Sequence, residues 1–202
     1  IKRLEKSGIV LENLFCTNSI CVPSRASILT GQYSHVNGVY NLPDALDPDS
    51  LNVSKILQKN GYQTSLIGKW HLKKEPSGFD YYKVLPGQGL YNDPYFKTKE
   101  NWKDGYQGGV REKGFSSDII GDSSIEWLKK IDRNKPFFMM THFKATHEPF
   151  DYPERHESLN ENIVFPEPTS LYEFDSKESG RNHLGQIVEN LTDRWQNDLK
   201  NE

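Results

Sequence analysis

The chain has 202 residues, of which 35% are hydrophobic and 12% aromatic, and its formal net charge is −3. This length is enough for one ordinary domain, and the aromatic content argues against a disordered chain. The charge excludes the strongly basic surface of a nucleic-acid binder, no apolar run is long enough to span a membrane, and two cysteines exclude a disulfide framework.

The start of the chain predicts a helix end, a strand and a second helix. Residues 1–7 are typical of the end of a helix, and residues 9–15 predict a short strand. The next helix is predicted to begin near Cys21, because Pro23 suits a first helical turn. It is predicted to end at Gly31, since glycine is the residue that most often closes a helix.

The following segment predicts a helix joined to a strand by a glycine. Residues 51–60 carry apolar side chains at helical spacing and stop at Gly61, which indicates an amphipathic helix. Residues 62–68 are rich in apolar and β-branched side chains and predict a strand. This alternation favours an α/β layered fold.

The second half predicts a long excursion, a helix and a buried strand. Residues 72–114 lack lasting periodicity and predict an irregular excursion whose aromatic side chains mostly pack onto the body. Residues 116–131 predict a helix, and the apolar run 136–141 is typical of a central parallel strand. Residues 148–182 are predicted to be loop-like, and residues 183–202 a polar helix.

The strongest motif is Cys21-Val-Pro-Ser-Arg25, followed by Leu29-Thr-Gly31. Cys21 is expected at a helix N-terminus, where backbone N–H groups and the helix dipole favour an anion. Arg25 follows four residues later, on the same helix face. A nucleophile, a guanidinium group and a helix N-terminus therefore converge, which suits a tetrahedral oxyanion.

A second motif, Gly68-Lys69-Trp-His71-Leu, follows the strand predicted over residues 62–68. Lys69 and His71 are two residues apart, so their side chains can point the same way. Ligands bind at the carboxyl ends of strands in open α/β sheets. A lysine offers a point charge to an oxyanion, and a histidine can donate a hydrogen bond or move a proton.

A third motif, Thr141-His-Phe-Lys-Ala-Thr-His147-Glu-Pro, follows the predicted strand 136–141. It places His147 near the same sheet edge. His142 and Lys144 fit an edge of the same pocket and fit a surface or structural role equally well. A zinc site formed by Cys16, Cys21 and a nearby histidine is a weaker alternative, because their spacing fits no zinc pattern well.

These motifs occur in order over residues 9–150 and resemble the signatures of the arylsulfatase-type, formylglycine-dependent sulfatases. The stretches 78–81, 85–89 and 93–94 are similar to bacterial N-acetylglucosamine-6-sulfatases. The resemblance implies an alkaline-phosphatase-like α/β sandwich with a mostly parallel central sheet. It also implies hydrolysis of a sulfate monoester on a glycan.

The resemblance further implies roles for individual residues. Cys21, converted to formylglycine (3-oxoalanine), is the implied nucleophile and a calcium ligand. Arg25 is implied to stabilise the formylglycine hydrate, and Lys69 and His71 to bind the sulfate or the nucleophile's hydroxyl. His147 is implied to contact the sulfate or the departing alcohol, although the residue before it is threonine where the family usually has proline.

Parts of the family pattern are missing from the sequence. The family carries an Asp pair on its first strand and, later in the domain, an Asp-Asn pair and a second lysine. We therefore expect residues 1–202 to be part of a sulfatase catalytic domain, with core segments 9–71 and 115–150, that lacks the first strand and the C-terminal part. The remaining calcium ligands are expected outside this chain, and the chain alone is expected to be inactive.

The resemblance implies a sulfated carbohydrate as substrate and a formylglycine-generating or sulfatase-maturating enzyme as partner. It implies export to the bacterial periplasm or exterior, or to the lysosome in a eukaryote. Two alternatives stay open: a phosphate or phosphonate ester hydrolase of the same superfamily, and an inactive carbohydrate-binding relic.

Overall fold

The computed structural model describes residues 2–166 of the chain. The chain divides into two compact units, Ile1–Glu154 and Arg155–Glu202. Within the second unit, residues 155 and 156 end a short 3₁₀ helix, residues 157–162 form turns, and residues 163–166 have no regular secondary structure. The predicted loop over 148–182 is thus described only as far as residue 166, and the predicted helix over 183–202 lies outside the described residues.

The first unit combines α-helices with a parallel sheet, which confirms the α/β fold that the sequence predicts. The α-helices are α1 (Lys2–Glu5), α2 (Cys21–Thr30), α3 (Ser34–Asn37), α4 (Val53–Lys59) and α5 (Ser116–Lys130). The strands are β1 (Gln63–Lys69), β2 (Tyr81–Leu85), β3 (Tyr95–Phe96), β4 (Val110–Arg111) and β5 (Phe137–His142). Short 3₁₀ helices span Lys99–Asp104 and Glu154–His156.

Helix α2 has the bounds that the motif predicts. It begins at Cys21 and ends before Gly31, whose backbone is left-handed (φ 68°) and whose N–H bonds to the carbonyl of Ser27. Val22, Ala26 and Leu29 are buried on one face. These positions recur at helical spacing, so one face packs against the core while Cys21 stays at the helix N-terminus.

The main sheet is parallel, with β1 between β2 and β5. The prediction that residues 136–141 form a parallel strand is confirmed, but the prediction of a central position is wrong among the described residues. Strand β1 is central and almost fully buried, whereas β5 is partly exposed and pairs only with β1 within residues 2–166. An apolar run indicates that a strand can be buried on both faces but does not identify its neighbours.

Gly68 allows β1 and β5 to approach closely at the end that carries Lys69. It pairs with His142 and has a φ of 104°. A Cβ atom at this position would lie 1.9 Å from the carbonyl oxygen of His142. Only glycine fits here without moving the backbone, because the contact is to main-chain atoms and the φ disfavours any side chain.

The predicted strand over residues 9–15 is wrong. Residues 12 and 13 form a turn, and the others have no regular secondary structure and no strand pairing among the described residues. The large apolar side chains in this stretch are 57% to 88% exposed. A β-rich composition favours a strand only where the side chains pack on a neighbour, and that packing is missing within residues 2–166.

The excursion over residues 72–114 contains more regular structure than its composition indicates. Strand β2 joins the parallel sheet beside β1, and β3 pairs with β4 in an antiparallel ribbon. Several of its aromatic side chains are buried in the core, as expected: Phe79, Tyr82, Tyr91 and Phe96. The excursion is therefore packed onto the sheet that carries the site.

Candidate active site

A cavity of about 710 Å³ opens where α2 begins and where β1 and β5 end. Its described lining contains basic and imidazole side chains and neither Asp nor Glu. The lining includes two free thiols and five basic or imidazole side chains: Cys16, Cys21, Arg25, Lys69, His142, Lys144 and His147. A cavity with this lining favours an anion, because its positive charges meet no fixed negative partner within it.

Cys21 is the first residue of α2 and a half-buried free thiol. Its position at the helix N-terminus places it where the helix dipole favours negative charge. Cys16 is also a free thiol, so the two cysteines are not joined. Residues 2–166 contain no group of three or more His, Cys, Asp or Glu side chains that could hold a metal ion, so they do not support the zinc alternative.

Arg25 connects the helix to the ends of both strands. Its Nη1 donates a hydrogen bond of 2.7 Å to the main-chain oxygen of Lys69 and lies 3.2 Å from Nδ1 of His142. Burial lowers the pKa of Arg25, and nearby Cys21 and Tyr106 oppose that effect. An arginine tolerates such burial as a cation because its pKa starts far above neutral pH.

His142 lies in the site, where the sequence left its role open. Its Nδ1 is 3.1 Å from the main-chain oxygen of Lys69, the same oxygen that Arg25 contacts. Burial, and then the positive charge of Arg25, lower the pKa of His142. The imidazole is therefore neutral at neutral pH. Its Nδ1 carries the proton that is donated to the Lys69 carbonyl, so the ring lies beside the guanidinium group without accepting a hydrogen bond from it.

Lys69 is 3% exposed, and its Nζ donates a hydrogen bond of 2.5 Å to Oε1 of Gln88. Burial lowers the pKa of Lys69 to about 8, with a further decrease from the nearby charges of Arg25 and Lys144. The group is still mostly an ammonium at neutral pH. Its acceptor is a neutral amide, so the positive charge remains available to an anion.

Gln88 is a site residue that sequence reasoning missed. It lies on the turn after β2, within the excursion over residues 72–114. The register that pairs Lys69 with Leu85 brings this turn beside the end of β1. The available signal was the Leu85–Gly89 stretch, which indicated only a subfamily.

His71 stands apart from the other predicted site residues. It is 7% exposed, has a φ of 59° and does not line the cavity. Its buried Nδ1 has no hydrogen-bond partner among residues 2–166. Burial, and then the charges of Lys69 and Arg25, lower the pKa of His71 to about 4, so the ring is neutral at neutral pH.

His147 lies on the loop that follows β5 and lines the cavity. Its Nδ1 is 3.0 Å from the main-chain oxygen of Glu148. Because a carbonyl only accepts hydrogen bonds, Nδ1 carries the proton in this contact. The other ring nitrogen, Nε2, is left for a ligand.

The described residues do not fit a calcium ion. Calcium takes six to eight oxygen ligands, many of them carboxylates. The described lining contains no Asp, Glu, Asn or Gln, and no metal-binding cluster occurs within residues 2–166.

No helix in this part of the chain has the length and apolar character needed to cross a membrane.

Comparison with known proteins identifies relatives of the whole described region. The sulfatase family model matches residues 1–172. An N-acetylglucosamine-6-O-sulfatase of Bacteroides thetaiotaomicron is 41% identical over 98% of this chain and 35% of its own length. The human N-acetylglucosamine-6-sulfatase is 26% identical over 79% of this chain and 32% of its own length. The chain thus spans about a third of the length of these relatives.

Solved structures show the same fold. One, a complex with its substrate D-glucosamine-2-N,6-O-disulfate, has a TM-score of 0.73 and 42% identity, covering 80% of this chain and 33% of its own. Another, a complex with k-i-k-neocarrahexaose, has a TM-score of 0.64 and 22% identity, covering 74% of this chain and 40% of its own, and supports the fold alone.

Proposed function

The chain belongs to the sulfatase family, and on that premise we propose that it supplies part of the active site of a hydrolase that cleaves a sulfate monoester on a glycan. The observation that carries the proposal is the grouping of Arg25, Lys69 and Lys144 around a cavity at the N-terminus of α2. Three cations and a helix dipole favour a sulfate group, and no described lining residue carries a negative charge to oppose it.

Cys21 is the proposed nucleophile. Conversion of Cys21 to formylglycine supplies an aldehyde whose hydrate attacks the sulfur of the ester. Its place on the first turn of α2 supports this role, because the backbone N–H groups of that turn favour the negative charge that develops during attack. Arg25, four residues later and held by the main-chain oxygen of Lys69, is proposed to stabilise the hydrate.

The other site residues are proposed to hold the sulfate and the leaving group. Lys69 contributes an ammonium with a neutral partner, so it can bind a sulfate oxygen without losing an ion pair. His147 offers Nε2, which can contact the sulfate or the departing alcohol. His71 has a buried Nδ1 that needs a partner, which supports a role beside Lys69 when the remaining site is complete.

Calcium is proposed as the family's metal, with Cys21 as one ligand and the other ligands outside residues 2–166. No step of the reaction is assigned to it. Maturation requires a formylglycine-generating or sulfatase-maturating enzyme. The protein is proposed to be exported, or lysosomal in a eukaryote, as its membership of the sulfatase family implies.

The proposed substrate carries a 6-O-sulfated glucosamine or N-acetylglucosamine. Two relatives support this choice: the bacterial enzyme named for N-acetylglucosamine 6-O-sulfate and the solved complex with a glucosamine disulfate. Both are more than 40% identical to this chain, whereas the structure with bound k-i-k-neocarrahexaose is 22% identical.

The test is co-expression of the protein, at its full natural length, with a maturation enzyme. Mass spectrometry of the peptide containing Cys21 should show the aldehyde, and sulfate should be released from N-acetylglucosamine 6-sulfate but not phosphate from the matching 6-phosphate. Cys21→Ala should abolish release, and the control Cys16→Ala should keep it. An unmodified Cys21 thiol together with no sulfate release would contradict the proposal.

A further inference from the structure

The loop that carries His147 is held by a tyrosine from the distant excursion. Tyr91 is 3% exposed, and its hydroxyl donates a hydrogen bond of 2.5 Å to the main-chain oxygen of His147. The ring of Tyr91 stacks on Phe115 with 5.6 Å between centroids. Stacking on Phe115 thus fixes the ring of Tyr91, and the hydroxyl group of Tyr91 in turn fixes the loop.

Lys144 holds the same loop from within. It is 4% exposed, and its Nζ lies 4.6 Å from the centre of the Tyr91 ring. The same Nζ donates a hydrogen bond of 3.0 Å to the main-chain oxygen of Glu148. A buried ammonium with these two partners is costly to displace, so it restrains the position of the Glu148 carbonyl.

The two contacts act on adjacent peptide groups. Tyr91 binds the carbonyl of His147, and Lys144 binds the carbonyl of Glu148, which also accepts from Nδ1 of His147. The backbone N–H of His147 donates in turn to the carbonyl of Lys144. The imidazole is therefore oriented by a carbonyl whose own position is set by Lys144 and Tyr91.

We propose that Tyr91 and Lys144 are positioning residues that hold His147 as the Nδ1–H tautomer, with Nε2 free for the ligand in the cavity. The partner of one ring nitrogen decides which nitrogen carries the proton, so fixing the Glu148 carbonyl fixes the chemistry of Nε2. The use of Nε2 in catalysis rests on the proposed function. The tautomer and its dependence on Tyr91 and Lys144 do not.

The direct test is nitrogen-15 NMR of histidine-labelled protein at its full natural length, with the His147 signals assigned from the His147→Gln variant. In the neutral ring of the native protein, Nδ1 should be protonated and Nε2 unprotonated. Tyr91→Phe removes one hydroxyl and keeps the ring, and it should shift His147 towards a mixture of tautomers. Lys144→Met should do the same while the hydroxyl of Tyr91 is kept.

Tyr82→Phe is the matched control. Tyr82 is also buried, and its hydroxyl donates a hydrogen bond of 2.6 Å to Glu75. The Tyr82→Phe variant should lose about as much stability as Tyr91→Phe and should leave the His147 signals unchanged. Unchanged His147 signals in Tyr91→Phe and Lys144→Met, or equal changes in Tyr82→Phe, would overturn the proposal.

Kinetics give a second readout in the matured enzyme. Tyr91→Phe should lower kcat about tenfold with KM within about twofold, since a misplaced catalytic group affects the transition state more than binding. Tyr82→Phe should keep both values within about twofold. A tautomer shift in Tyr91→Phe with no sulfatase activity in the native protein would refute the proposed function and leave the positioning role intact.

Discussion

The guanidinium group of Arg25 donates a 2.7 Å hydrogen bond to the main-chain oxygen of Lys69, and this contact joins the N-terminal half of α2 to the end of β1. The two residues are 44 positions apart in the chain. The contact therefore ties the helix that carries Cys21 to the strand end that carries Lys69. It makes Arg25 both a support of the fold and a cation of the cavity.

Arg25→Lys is expected to damage activity more than stability. A lysine keeps the charge but cannot contact the Lys69 carbonyl and His142 with one planar group, so kcat/KM should fall about a hundredfold or more. The free energy of unfolding should decrease by about 1–3 kcal/mol, because a buried hydrogen bond is lost. Urea unfolding and steady-state kinetics measure the two effects.

Arg111→Lys is the control for this substitution. Arg111 is 59% exposed and lies 3.7 Å from Asp93, so the change should alter stability by less than about 0.5 kcal/mol. Equal losses of stability in Arg25→Lys and Arg111→Lys would show that Arg25 has no special structural role.

Sulfate binding is expected to weaken above about pH 8. Burial lowers the pKa of Lys69 to about 8, so the residue loses its positive charge as the pH rises through that value. Affinity for inorganic sulfate should then decrease by at most about tenfold per pH unit. Calorimetric titration from pH 6.5 to 9.5 tests this, and Lys69→Met should remove the decrease. A sulfate affinity of the native protein that stays constant over this pH range would contradict the proposal that Lys69 binds sulfate as a cation.

The contribution of Lys69 to stability should increase with pH, whereas its contribution to sulfate affinity decreases. The folded-state pKa of about 8 lies below the ordinary value of 10.5, so between these values the unfolded chain holds the proton that the folded protein has lost. The contribution of Lys69 to the free energy of unfolding should therefore rise with pH across this window. The difference in urea unfolding between the native protein and Lys69→Met isolates it.

His71 is expected to weaken the fold in acid. Its folded-state pKa of about 4 lies below the ordinary value of 6.5, so between these values the unfolded chain binds a proton that the folded protein excludes. Stability should fall as the pH drops from about 6.5 to 4. His71→Asn should reduce this slope in urea unfolding. The exposed residue His156 offers the control His156→Asn, which should keep the native slope.

Gln88→Leu is expected to loosen Lys69 without disturbing the sheet. The substitution removes the amide oxygen that accepts from Nζ of Lys69, so sulfate affinity should fall about threefold to tenfold. In the Lys69→Met background the same substitution should have no effect, which is the signature of a coupled pair. Gln107→Leu, an exposed change on the same excursion, should leave affinity unchanged.

Gly68→Ala is expected to cost about 3 kcal/mol or more of stability. The new Cβ would lie 1.9 Å from the carbonyl oxygen of His142, at a φ of 104°. Gly121→Ala in helix α5 is the control, since its Cβ would meet nothing within 4 Å and alanine favours a helix by up to about 1 kcal/mol. Thermal unfolding should move in opposite directions for the two variants.

The sequence predicted those features that depend on neighbouring residues. Helix α2 begins at Cys21 and ends before Gly31 as expected, because proline in the first turn and glycine after the last act locally. The spacing of Cys21 and Arg25 fixes both on one helix face, and Lys69 ends a strand whose composition is β-rich. The family followed from these same motifs.

Only the tertiary structure decided which distant groups meet. It paired Lys69 with Gln88, held the loop of His147 by Tyr91, and left His71 outside the cavity lining. Within residues 2–166, it also left residues 9–15 without a strand partner and gave β5 one neighbouring strand, β1. Local preferences act over one or two turns of chain, whereas these contacts depend on strand register and core packing. The sequence alone therefore determined the helix that carries the nucleophile, and the packing decided what surrounds it.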